Sequence, residues 1–141
     1  MNWARFFWSA IVVFVTLIIT TVIIHLFILG GVYGDLSTQG IFRPSEVISS
    51  YWWVFLITMA FYSFFFTLIF VEGYKGKGIG EAIRFAIYIT LFFCFVVAFD
   101  ELVLYGLPYG LTWLWIIFGF IQNLIMAIFI VLIYKPKAVT A

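Results

Sequence analysis

Charge is scarce in this chain. Lys, Arg, Asp and Glu make up 9% of its 141 residues, against about 25% in a soluble domain. The seven basic side chains are scattered and the net charge is +1, so no basic run is dense enough to suggest a nucleic-acid partner. Cysteine occurs once, as Cys94 inside an apolar stretch. A lone thiol excludes an intrachain disulfide and leaves the redox compartment unread. Proline occurs three times, and none of the three interrupts an apolar run. Internal repeats and low-complexity linkers are missing too.

Apolar residues take up the difference, at 67% of the chain with a mean hydropathy of +1.25. A small soluble domain leaves much of its sequence at the boundary and cannot hide so much apolar surface. The surrounding medium is therefore lipid, and each span needs about 20 residues. Four runs qualify: 8–29, 45–71, 80–99 and 111–134. The first follows Arg5 as a secretory signal would, but it is too long for a signal core and no small-x-small site follows at residues 25–29, so it is expected to be retained. It is expected to stop at Gly30-Gly31. The second is expected to start at Ser45, whose hydroxyl suits a helix cap, with Glu46 at the positive end of the helix dipole. Arg84, in the first turn of the third run, is expected to extend its guanidinium to the headgroups. The segments between spans are too short to bury a core. The expectation is an all-α membrane protein, a single four-helix transmembrane bundle.

Sorting the basic residues gives the bundle a direction. Arg5, Lys75, Lys77, Arg84, Lys135 and Lys137 fall on one side of four spans, and only Arg43 on the other. That split in short loops predicts cytoplasmic amino and carboxyl ends. Asp35, Glu46, Asp100 and Glu101 then lie outside. Trp3, Trp8, Tyr74 and Tyr134 mark the inner boundary, with Tyr51, Trp52, Trp53, Tyr105, Tyr109, Trp113 and Trp115 toward the outer one, where amphipathic rings settle at headgroup level. The 19 Phe read as lipid-facing bulk rather than as a pigment or quinone box, and no cofactor is expected.

Lipid tails are as apolar as leucine, so helices associate through close backbone approach and a few polar contacts. Ala82, Ala86, Thr90, Cys94 and Ala98 recur every fourth residue, drawing a ridge of small side chains along the third span. Gly119, Gln122, Asn123, Met126 and Ala127 form a matching face on the fourth. Gln122 and Asn123 lie near midspan, where an unpaired amide costs about 2–7 kcal/mol, so both are expected to point inward. Thr20 and Thr21 share that depth, with Ser63 and Thr67 below it. These six residues read as interhelical glue, the alternative being a polar lining for a substrate path.

Two further groups carry candidate chemistry. His25, Asp100 and Glu101 share the outer end of the first and third spans and offer a metal or proton site. The ligand spacing is unrecognised, however, and adjacent carboxylates reach one ion only if the helix has ended. The loop at 72–81, with Lys75, Lys77, Gly78, Gly80 and Glu81, alternates glycine with other residues ahead of a helix start, and Arg84 follows three residues beyond it. Exposed amides there favour anions. It lacks the lysine-hydroxyl ending of a Walker loop, so its lysines are expected to meet lipid phosphates, with Glu81 paired to Arg84.

The segment Gly73-Tyr74-Lys75-Gly76-Lys77-Gly78-Ile79-Gly80-Glu81-Ala82-Ile83-Arg84-Phe85 resembles the stretch before the third span in a group of uncharacterised small four-span bacterial inner-membrane proteins. Ala82 stands where that group has a further glycine. The resemblance extends to residues 113–123 and to the closing Tyr134-Lys135-Pro136, about half the chain. It implies a bacterial inner membrane and a four-span fold, and it implies no activity. The leading expectation is a non-enzymatic membrane module, an accessory subunit or a small oligomer, whose partners are membrane lipids and other membrane subunits or further copies of itself. The alternatives are a carrier or channel for a small neutral or weakly polar solute, and an outer-face metal or redox site using His25.

Overall fold

The computed structural model describes residues 1–134; the expected cytoplasmic Lys135 and Lys137 lie outside them. The described residues form six helices: α1 (Trp3–Ile28), α2 (Gly30–Thr38), α3 (Ser45–Ser50), α4 (Trp52–Gly73), α5 (Ile79–Leu104) and α6 (Tyr109–Ile133). α1, α4, α5 and α6, of 22 to 26 residues, rise about 33–39 Å, enough to cross a hydrocarbon core of about 30 Å. Their outward side chains suit no other solvent, since Phe27 is 80% exposed and Phe92 78%. The chain is an all-α membrane bundle of four spans.

Four antiparallel spans bring the chain start, residues 74–78 and Tyr134 to one end, here the amino-end face. The Asn2 backbone N–H donates to the Tyr134 hydroxyl at 3.1 Å, and the Tyr74 and Tyr134 rings lie 6.4 Å apart. α2, α3 and residues 105–108 form the opposite face. The apolar core has one part near each end. Phe6, Val13, Phe70, Met126 and Ile130 fill the first, and Ile24, Leu29, Leu36, Leu107 and Leu111 the second.

Helix boundaries differ from the apolar runs where local hydrogen bonding overrides hydropathy. α1 begins at Trp3, because the Asn2 side-chain oxygen accepts from the Arg5 N–H at 3.4 Å and caps it. It ends at Ile28, next to the expected Gly30-Gly31 stop, but not as a plain α-helix. It widens into a π-helical stretch over Val22–Ile28, closes at Leu29, and the two glycines open α2 instead. The helix expected over 45–71 is two helices broken at Tyr51, and the Ser45 side chain makes no capping bond. The Pro44 carbonyl accepts from the N–H groups of Val47 and Ile48, both at 3.0 Å, which satisfies the first turn without a side chain. α5 passes through a π-helical stretch at Thr90–Phe95 and runs past residue 99 to Leu104, so Asp100 and Glu101 stand inside the helix rather than beyond its end.

Side-chain size sets the packing order. α4 packs on α1, α1 on α6, and α6 on α5. Ala82, Ala86, Thr90 and Ala98 are buried along α5, and Gly119 lets α6 come so close that a Cβ there would stand 2.7 Å from Cys94 Sγ. α4 and α5, although consecutive spans, do not close on each other backbone to backbone. They meet through large rings: Phe66 and Phe70 each against Phe85 at 5.0 Å, and Tyr62 against Phe93 at 5.8 Å. The arc α4-α1-α6-α5 is therefore left with a cleft between its two ends.

Candidate functional site

The polar groups form three clusters at three depths. At midspan the two amides of α6 turn inward and tie all four spans together. Gln122 Nε2 donates to Thr20 Oγ1 at 2.9 Å and to Thr21 Oγ1 at 3.1 Å, joining α6 to α1. Asn123, 2% exposed, accepts from the Tyr62 hydroxyl of α4 at 2.7 Å and donates to Thr90 Oγ1 of α5 at 3.1 Å, with Cys94 Sγ at 3.7 Å. Four of the six residues read from the sequence as a midspan polar group thus enter this network. Ser63 and Thr67 do not. The Thr67 hydroxyl donates back to the Ser63 carbonyl at 2.8 Å within its own helix, and Ser63 Oγ is buried with no partner among the described residues. Sequence reasoning missed Tyr62 and the role of Thr90. The signal for Tyr62 was a phenol inside a run of Phe, since a buried tyrosine hydroxyl needs an acceptor.

The second cluster, at the opposite face, centres on a residue the sequence did not single out. Tyr33 of α2 lies against His25, with ring centroids 5.7 Å apart and 15° between planes. Its hydroxyl is 2.6 Å from His25 Nδ1 and 2.7 Å from Trp115 Nε1. An indole N–H only donates, so the Tyr33 oxygen accepts from Trp115, while the direction of its bond to His25 follows the tautomer of the imidazole. Burial pushes the Tyr33 hydroxyl up to about 12, opposed by the Trp115 hydrogen bond and assisted by the Glu101 carboxylate. The relay fastens α2 over the ends of α1 and α6, with Leu36 buried beneath it. Asp100 is exposed and Glu101 only partly buried, and both lie on a continuing helix. Among the described residues no three His, Cys, Asp or Glu side chains converge where they could hold a metal ion.

The third cluster, at the amino-end face, is built around Glu81. Its carboxylate is 5% exposed and accepts from the Lys75 N–H at 3.0 and 3.1 Å and from the Lys77 N–H at 2.9 Å. Arg84 Nη2 stands 3.6 Å away. Gly76 and Gly78 make the wrap by taking φ values of 77° and 76°, which side chains resist. The loop amides at 75 and 77, expected to be open to an outside anion, are therefore already filled by the chain's own carboxylate. The basic side chains of Lys75, Lys77 and Arg84 are exposed, and Gly80 sits in the first turn of α5.

Together these features define a four-span helical membrane protein whose polar groups join its helices. No family model matches the sequence, and neither does any curated protein or solved structure.

Proposed function

We propose that this chain is a non-enzymatic membrane module, an accessory subunit of a larger membrane complex or a small oligomer, in a bacterial inner membrane with its amino-end face in the cytoplasm. The observation that carries the reading is the pairing of the midspan amides. Gln122 and Asn123, the residues best placed to line a solute path, spend their donors on Thr20, Thr21 and Thr90. Pumps and transporters place ionisable groups at depth, and here the two midspan amides and the hydroxyls they reach are neutral and directed at one another. The orientation is supported by Arg5, Lys75, Lys77 and Arg84 at the amino-end face against Arg43 at the other. Purification in mild detergent followed by native mass spectrometry tests the module: a defined partner or a defined oligomer is expected. A partnerless monomer that turns over a substrate would end the proposal, and reporter fusions at residue 76 check the orientation.

A further inference from the structure

The cleft between α4 and α5 holds two hollows of contrasting chemistry. The one at the amino-end face, about 400 Å³, is lined by Lys75, Arg84, Glu81, Tyr74, Tyr88 and neighbouring apolar side chains. The one above it, about 380 Å³, is lined by Phe61, Phe65, Phe92, Phe93 and their neighbours. Ile69 borders both, so they follow one another along a single cleft. We propose that this cleft binds an anionic membrane phospholipid, its phosphate held by Arg84 and Lys75 and one acyl chain lying along the Phe side chains above.

Charge balance fits that occupant. Lys75 and Arg84 against Glu81 leave one positive charge at the lower hollow, which one phosphodiester neutralises. Glu81 is buried beneath the backbone amides of Lys75 and Lys77, and Arg84 Nη2 stands 3.6 Å from it. Arg84 is 53% exposed and carries further N–H donors in a planar fork suited to phosphate. Basic pockets between spans at this level are where lipid headgroups bind.

The upper hollow fits the rest of the molecule. Its two polar lining groups are already engaged: the Thr58 hydroxyl donates to the Phe55 carbonyl at 3.0 Å, and Tyr62 to Asn123. What remains is hydrocarbon and aromatic ring. From Ile57 to Ile69 the groove follows α4 for about 18 Å, against about 15 Å for half the hydrocarbon core. A free phosphate would fill the first hollow and leave the second bare, whereas a phospholipid fills both.

The test is native mass spectrometry of the full chain in detergent, titrated with long-chain phosphatidylglycerol and, separately, phosphatidylcholine of the same acyl length. Phosphatidylglycerol is expected to bind about 30-fold more weakly to the K75Q/R84Q variant, the loss for two basic side chains at a lipid surface. R84K, which keeps the charge but loses the planar fork, is expected to bind more weakly than the wild type and more tightly than K75Q/R84Q. The R5Q/K77Q variant removes the same charge from the same face outside the cleft and is expected to bind like the wild type. An equal loss in R5Q/K77Q, equal binding of the two lipids, or displacement of phosphatidylglycerol by millimolar inorganic phosphate would overturn the proposal. Should K75Q/R84Q fail to fold, the lipid comparison and the phosphate competition on the wild-type protein still decide it. The site stands apart from the module reading: a partner or oligomer found without lipid preference would sink only this inference.

Discussion

Replacing Asn123 with Leu keeps a side chain of comparable size in the bundle and removes every hydrogen bond it makes. Two of its contacts are short, to the Tyr62 hydroxyl at 2.7 Å and to Thr90 Oγ1 at 3.1 Å, and the sulfur contact at 3.7 Å is weak. Interhelical hydrogen bonds in membranes average about 0.6 kcal/mol and reach about 1.7, so losing two predicts about 1–3 kcal/mol. Tyr62→Phe removes one of the same bonds from the other side and predicts about 0.6–1.7 kcal/mol. The double variant should then be less damaging than the sum, with a coupling energy of about 0.6–1.7 kcal/mol. Gln122→Leu should cost less than Asn123→Leu, about 0.6–1 kcal/mol, because Thr20 still donates to the Thr16 carbonyl at 2.8 Å. The assay is reversible unfolding in mixed micelles of increasing dodecyl sulfate, followed by tryptophan fluorescence. Additivity of Asn123→Leu and Tyr62→Phe within about 0.3 kcal/mol, as for independent sites, would refute the reasoning.

Other consequences follow from single contacts. Gly119→Ala puts a methyl 2.7 Å from Cys94 Sγ and should destabilise by about 1–3 kcal/mol in the same assay, with Cys94→Ala recovering most of the loss. Glu81→Ala frees the N–H groups of Lys75 and Lys77, so the loop at 74–78 should be cut by trypsin much faster than in the wild type; an unchanged rate would show that the carboxylate does not hold the loop. Tyr33 keeps its proton more tightly in the fold, at about 12 against an ordinary 10.0. Its contribution to stability is complete below pH 10 and is lost as pH rises from 10 through 12, and Tyr33→Phe should abolish that loss along with one tyrosinate absorbance step near pH 12.

The four spans were legible because hydrocarbon is an unforgiving solvent: twenty apolar residues in a row have few other destinations. The inward turn of Gln122 and Asn123 was legible for the same reason. Their partners were legible only in part. Thr20 and Thr21 followed from depth, but which α4 group reached Asn123 depended on the rotation of a helix that is apolar all round, and its many Phe give no stripe to fix that rotation. Boundaries failed where a backbone group replaced the expected side chain, as Pro44 does for Ser45. The loop failed instructively. Its glycines signalled an anion cradle, and the anion was Glu81, three residues past the last positive-φ glycine. Tyr33 was hidden because α2 lay in a segment with no apolar periodicity to announce a helix.

Cys94 offers the most direct probe of a closed interior, since the one thiol of the chain lies beside Asn123 on the seam between α5 and α6. A charged, membrane-impermeant maleimide added to either side of native membranes should leave Cys94 unmodified, and dodecyl sulfate should make it fully reactive. Rapid modification from either side of the intact bilayer would mean that water reaches midspan, contradicting a bundle whose polar core serves only to join its helices.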